Sequence, residues 1–138
     1  MDYAVLKLEL ATDPTGLGYA AAWAEGSDWK CADALNLLRP NIDINRGVIP
    51  SYEIVNATVP GEWATLTAAE KQRFQTLTGA GQVDSANPNV RAAFQAMFAA
   101  STTTRANLMA LLTRKGSRAE QLFGQAVSMN DVAQARRV

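Results

Sequence analysis

Apolar residues recur at helical spacing in the second half of the chain. Val90, Phe94, Met97 and Phe98 fall at positions i, i+4, i+7 and i+8, which form one stripe on an α-helix. Two later segments repeat this pattern, first with Leu108, Leu111 and Leu112 and then with Met129, Val132 and Ala133. The pattern predicts helices that each bury one face.

Residues typical of helix starts and stops flank these stripes. Thr67 with Glu70, and Ser117 with Glu120, have the spacing of a capping box, in which each side chain bonds the other residue's backbone N–H. A threonine cap is also predicted for the Leu108 segment. Two more helix starts are predicted at Asn87–Pro88 and at Ser128. Glycines mark the predicted helix ends, at Gly79, Gly81, Gly116 and Gly124.

The first half of the chain is less regular. Residues 27–38 predict a helix capped by Ser27, with Trp29, Ala32, Leu35 and either Leu38 or Ala34 facing inward. Ile42, Ile44 and Val48 alternate with polar residues, which predicts one short extended segment near 42–48. Short helices are expected to begin at Ser51 and near Pro60, with Trp63 as a buried anchor. We therefore predict one mainly α domain, 1–138, of about seven short helices.

A glycine-rich stretch suggests a cofactor site at first sight. Gly16-x-Gly18-x-x-Ala21 has the spelling of a dinucleotide-binding turn, and residues 3–10 before it could be a strand or a helix. That fold needs further buried parallel strands, and the rest of the chain predicts none. Asp13-Pro14-Thr15-Gly16 matches a type I turn, and Gly18 can supply a positive φ. We expect a structural turn of Asp13, Pro14, Gly16 and Gly18, and no cofactor.

Composition narrows the chemistry. The chain has no histidine and one cysteine. This excludes Ser-His-Asp and Cys-His nucleophile pairs and zinc sites built on Cys and His. Cys31 is expected to be a buried structural residue, and no apolar run is long enough to cross a membrane. We predict a protein that is not an enzyme and that holds no metal.

The net charge is zero, but it is unevenly distributed. Residues 1–70 hold ten acidic and four basic side chains, a net charge of −6, and residues 71–138 hold three acidic and nine basic ones, a net charge of +6. Such polarity suits head-to-tail contact between identical subunits. Alternatively, both ends mix on one folded surface and the polarity cancels. Candidates for a basic contact surface are Arg114, Lys115, Arg118, Arg136 and Arg137.

A second hypothesis concerns residues 107–126. Two helices joined near Gly116 could form a helix-turn-helix, with Ser117–Phe123 as the reading helix and Arg114, Lys115 and Arg118 on phosphates. The reading helix would be short, and Glu120 would sit where base contacts are made. Direct nucleic-acid binding is therefore not expected, and a small DNA-binding regulatory protein is the alternative from another functional class.

Several stretches of the sequence resemble a family of small virion proteins of tailed bacteriophages. The most specific are DPTGLGY at residues 13–19 and NDVAQAR at residues 130–136. The order of the other stretches agrees: LEL precedes DPTGLGY, and ALNLL, EW and AAEKQRFQ lie between the two. Members of the family carry a basic residue between the two glycines, where this chain has Leu17, so a phosphate or acid contact there is not expected.

The resemblance implies a structural role without catalytic residues. It implies a virion protein, assembled in the cytoplasm of the host bacterium, that packs between or around ring components near the head–tail connection (the neck). A tail or baseplate component is the alternative. The implied partners are portal, connector or tail proteins, with several copies of the chain, as in a ring, and no membrane.

Overall fold

The computed structural model describes residues 1–138 and has ten helices and four short strands. The helices are α1 (Tyr3–Thr12), α2 (Tyr19–Ala24), α3 (Asp28–Asn36), α4 (Ser51–Ala57), α5 (Pro60–Ala64), α6 (Ala68–Thr78), α7 (Pro88–Met97), α8 (Thr103–Leu112), α9 (Arg118–Phe123) and α10 (Met129–Arg137). The mainly α prediction is confirmed, but the count of about seven helices is wrong. Helices such as α2, with the sequence YAAAWA, are too short and too uniformly apolar to show a stripe.

The strands form two pairs. They are β1 (Leu38–Asn45), β2 (Val48–Pro50), β3 (Gln82–Asp84) and β4 (Thr113–Ser117), with β1 beside β4 and β2 antiparallel to β3. Ile49 lies opposite Val83, and both side chains are buried. The predicted extended segment is thus two strands, separated at Gly47, where φ is +89°. Of its alternating apolar residues, Ile42 is buried and Val48 faces solvent.

The chain divides into two compact units. Unit 1 comprises residues 1–44 and 115–138, and unit 2 comprises residues 45–114. The unit 1 core is formed by helices from both ends of the chain, because α1 and α3 each contact α10. Its largest buried side chains include Leu6, Leu10, Tyr19, Leu35 and Val132. That the whole chain is one domain stays a prediction.

Aromatic rings fill the core of unit 2. The Phe74 ring lies 6.1 Å from that of Phe94 and 6.4 Å from that of Phe98, and it meets the Trp63 ring edge-on at 5.0 Å. Such arrangements add to the free energy of apolar burial. The predicted stripe of α7 is confirmed, since Val90, Phe94, Met97 and Phe98 are all buried.

Most predicted caps are present. The side chains of Thr67, Asn87, Ser117 and Ser128 each accept a bond from the first turn of their helix, and Gly124 ends α9 with a left-handed backbone. Ser117 and Ser128 form complete capping boxes, and the partner of Ser128 is Asp131. No helix exceeds the 11 residues of α6, well short of a bilayer's thickness.

Four local predictions are wrong. Ser27 precedes α3 but makes no capping bond, and α3 ends at Asn36 because strand β1 begins at Leu38. Trp29 is exposed, with its ring 5.8 Å from the Lys30 ammonium. Of the two alternatives for the last inward position, Ala34 packs against the core and Leu38 is exposed. Gly116 does not stop a helix but lies in β4, where an added Cβ would come within 2.9 Å of the Ile44 side chain.

Candidate functional site

The DPTGLGY stretch forms a closed turn after α1. The backbone N–H of Gly16 donates to the carbonyl of Asp13 at 3.0 Å, and φ is +96° at Gly18. The Asp13 carboxylate accepts the backbone N–H groups of Leu17 and Gly18, both at 2.7 Å. These are the kind of donors that a phosphate would use in a dinucleotide loop. Here the Asp13 carboxylate binds these donors in place of a phosphate. The segment before the turn is a helix instead of a strand.

A buried ion pair lies beside this turn. The Glu9 carboxylate, with 7% of the residue exposed, accepts bonds from Arg118 Nε at 2.7 Å and Nη2 at 3.1 Å. It also accepts the Tyr19 hydroxyl, so the turn motif, α1 and α9 meet at one carboxylate. Burial by itself raises the pKa of Glu9, but the bonds from Arg118 and Tyr19 outweigh it and hold that pKa below its usual value.

The same contacts shift the pKa of Tyr19 upward, in the opposite direction to that of Glu9. Its burial and its bond to the Glu9 carboxylate raise the pKa of Tyr19. The phenol therefore stays a neutral donor. A pocket of about 170 Å³ adjoins the cluster, lined by Thr15, Leu17, Asn41, Ile42, Arg118 and Gln121. Arg118 uses its third nitrogen on the Gln121 side chain at 2.6 Å, so this guanidinium is engaged within the protein.

The NDVAQAR stretch forms α10 and is anchored by its own charged residues. Arg136 Nε donates to Asp28 at 2.6 Å and Nη1 to the Trp23 carbonyl at 2.9 Å, and the guanidinium lies 4.0 Å from the centre of the Trp23 ring. Asp131 accepts the Tyr3 hydroxyl at 3.3 Å. The two most specific stretches of the resemblance thus lie in unit 1 and have structural contacts there.

The other predicted basic residues are on strand β4 and at the end of α10. Lys115 donates to Asp43 at 2.7 Å across an exposed pair, Arg114 precedes it in β4, and Arg137 is exposed in the last turn of α10. Acidic residues of the first part of the chain therefore pair with Lys115, Arg118 and Arg136. The alternative in which the two ends mix and their charges cancel describes unit 1 correctly.

The two units consequently differ less in net charge than the two halves of the sequence do. Unit 1 holds nine acidic and seven basic side chains, a net charge of −2. Unit 2 holds four acidic and six basic side chains, a net charge of +2.

Helix α1 has a second apolar face that nothing in the chain covers. We call Ala4, Val5, Leu8, Ala11 and Thr12 the α1 outward face; all are exposed, Leu8 by 64% and Val5 by 44%. The two charges within the helix lie outside this face. Lys7 donates to the backbone oxygen of Val138, and Glu9 is buried against Arg118.

Unit 2 carries an apolar groove. It has a volume of about 370 Å³ and is lined by Val55, Thr58, Pro60, Trp63, Phe74, Gln75 and Thr78, which we call the unit 2 groove. Val55 is largely exposed at its edge, and the Lys71 ammonium lies 5.9 Å from the centre of the Trp63 ring. Trp63 is thus only partly buried: it contacts the core on one side and lines the groove on the other.

Two remaining predictions concern residues 107–126 and Cys31. The helix-turn-helix arrangement is wrong, because residues 113–117 form β4 where a tight turn was expected. Cys31 is buried, as predicted, and burial raises the pKa of its thiol. No group of three His, Cys, Asp or Glu side chains is placed to hold a metal ion.

No protein-family model, curated protein or solved structure matches this chain. The α1 outward face was not predicted from the sequence. Residues 3–10 fit both the alternation of a strand and the spacing of a helix, so it was not clear which residues would share a face. The signal available was that apolar residues lie on both sides of the helix, and it could have been read once the segment was known to be helical.

Proposed function

We propose that this protein is a structural component of a tailed-phage virion that packs between or around ring components near the head–tail connection. The observation that carries the proposal is the α1 outward face. Apolar residues lie on two sides of α1, and only one of these sides is covered within the chain. A protein that works inside an assembly gains the missing cover from its neighbours.

The resemblance carried by DPTGLGY and NDVAQAR supports the location. Both stretches hold the framework of unit 1, through Asp13 and Arg136, and neither presents a reactive group. Both stretches therefore fit a structural role, in which they hold the shape of unit 1. In this role, apolar side chains on the surface provide affinity, and charged residues around them provide orientation and specificity.

Binding to the neighbouring virion proteins tests the proposal. The tagged protein is co-expressed with the portal, connector or tail proteins of its phage, and we expect at least one to be recovered with it. Leu8→Glu should weaken that recovery, because it places a charge in the α1 outward face. Leu38→Glu, at a residue 61% exposed outside both this face and the groove, should leave it unchanged.

Labelling in purified virions gives the position. Label at the neck supports the proposal, and label at the tail or baseplate moves the same structural role to the alternative site. A protein absent from purified virions that recovers none of these partners would overturn the proposal.

A further inference from the structure

We infer that copies of this protein associate head to tail, with the α1 outward face of one copy seated in the unit 2 groove of the next. The inference rests on the proposed function. It deepens that function by naming a second copy of the chain as one partner of the α1 outward face. The two surfaces belong to different units and are both apolar and accessible.

The two surfaces have complementary shapes, a convex helix face and a concave groove. Leu8 is the centre of a convex face, and the small residues Ala4 and Ala11 lie one turn before and after it. A groove of about 370 Å³ has room for a leucine together with a neighbour such as Val5. Its walls, which include Val55, Pro60 and Trp63, supply apolar contacts, so neither surface would bury an unpaired charge.

The charges favour this pairing over its symmetric alternatives. Unit 1 is net −2 and unit 2 is net +2. Near the surfaces themselves, acidic residues lie at the ends of α1, Asp2 and Asp13, and Lys71 lies beside the groove at Trp63. Contact of α1 with α1 would bring two net negative units together, and groove with groove two net positive ones.

The pairing has a consequence for assembly. Because the two surfaces differ, each copy that binds through its helix still offers its own groove to another copy. Such heterologous contacts propagate until a ring closes or a filament grows. The α1 outward face is small beside the roughly 800 Å² per partner of a standard interface, so we expect association to depend strongly on concentration.

A complementation experiment with two variants tests the inference. Leu8→Glu disables the helix and leaves the groove, while Val55→Glu disables the groove and leaves the helix; both residues are exposed, so folding should be retained. Native mass spectrometry and light scattering follow the purified protein from about 1 μM to about 1 mM, the range in which weak interfaces dissociate.

We expect the wild type to form larger species than dimers as its concentration rises, and each variant alone to stay monomeric. Mixed in equal amounts, the variants should form a heterodimer and nothing larger, because only one helix and one groove remain intact between them. Leu38→Glu should assemble like the wild type, and circular dichroism and thermal melting check that every variant is folded.

Three results would overturn the inference. They are a wild type that is monomeric at every concentration, a Val55→Glu variant that assembles like the wild type, and a mixture of the two variants that stays monomeric. None of them bears on the proposed function, because purified virions can contain a protein that binds other components and not itself. Absence from virions, conversely, would count against the proposed function alone, and this experiment would still decide whether the protein self-associates.

Discussion

Glu9 is an acidic side chain in an apolar core, and its donors come from the neighbouring turn and from a helix far along the chain. Arg118 lies 109 residues away in sequence, and Tyr19 lies ten. A carboxylate placed there without partners would be strongly unfavourable. The contact therefore makes the start of the chain dependent on its end.

Removing the arginine should expose that dependence. Arg118→Met keeps a long side chain but leaves Glu9 buried and missing its positive partner, so we expect unfolding to become easier by about 3 to 5 kcal/mol. Lys30→Met breaks the exposed pair with Glu25 and should cost at most about 1 kcal/mol. Chemical denaturation at neutral pH measures both, and equal losses would contradict the special role of Arg118.

The same carboxylate predicts a pH dependence. Because the pKa of Glu9 is lower in the folded protein than in the unfolded chain, its ionised form stabilises folding. That contribution is fully present above the ordinary glutamate pKa, about 4.3, and is lost as the pH falls through the lowered folded value. Denaturation at pH 7 and pH 3 should show a smaller acid-induced loss for Glu9→Gln than for the wild type. An equal loss would refute the assignment.

Gly18 provides a test of backbone conformation alone. An added Cβ would meet no atom within 4 Å, but φ is +96°, which L-residues rarely adopt. Gly18→Ala should therefore cost on the order of 1 kcal/mol or more and lower the melting temperature by about 3 to 5 °C. Gly61→Ala is the matched control, since its Cβ also meets nothing and its φ is not positive. If Gly18→Ala left the melting temperature unchanged, the positive φ at residue 18 would be contradicted.

At the scale of the elements, two helix starts look alike in sequence but differ in the structure. Ser27 and Ser128 both precede a helix, yet only Ser128 accepts a bond from the first turn. The Ser27 hydroxyl is buried with no hydrogen-bond partner. One serine thus stabilises its helix, and the other does not.

Alanine substitutions should separate the two. Ser128→Ala should lower the free energy of unfolding by about 0.5 to 2 kcal/mol, because the backbone of α10 loses its cap. Ser27→Ala should have no cost or should stabilise slightly, since it removes a buried polar group without a partner. Thermal melting of the two variants side by side measures this, and the expectation fails if Ser27→Ala is the more destabilising change.

These examples explain which elements the sequence could predict. Caps such as Asn87–Pro88 and Ser117–Glu120 depend on residues within one turn, so their spacing is enough. Strand β4, with the sequence TRKGS, has no alternation of its own, and it exists because β1 lies beside it. The acidic partners of Arg118 and Arg136 are likewise more than a hundred residues away, so their basic charge alone suggested a free surface.

For the whole molecule, the single-domain prediction can be tested by its cooperativity. Leu10 is fully buried in unit 1 and Leu108 in unit 2. If the chain unfolds as one domain, Leu10→Ala and Leu108→Ala should each move a single transition to lower temperature, by roughly 2 to 5 kcal/mol in stability.

Calorimetry provides the decisive comparison. The calorimetric and van't Hoff enthalpies should agree for the wild type and for both variants. Two resolved transitions, each shifted by only one of the substitutions, would show instead that the units unfold independently.

The discontinuity of unit 1 has a consequence for synthesis on the ribosome. The chain leaves unit 1 after residue 44 and returns to it at residue 115, so the seventy residues of unit 2 are made before α9 and α10 emerge. At about 5 to 20 residues per second, the nascent α1 waits several seconds for its partners. The middle of the chain can therefore fold before its beginning, while an apolar N-terminal segment stays open to chaperones.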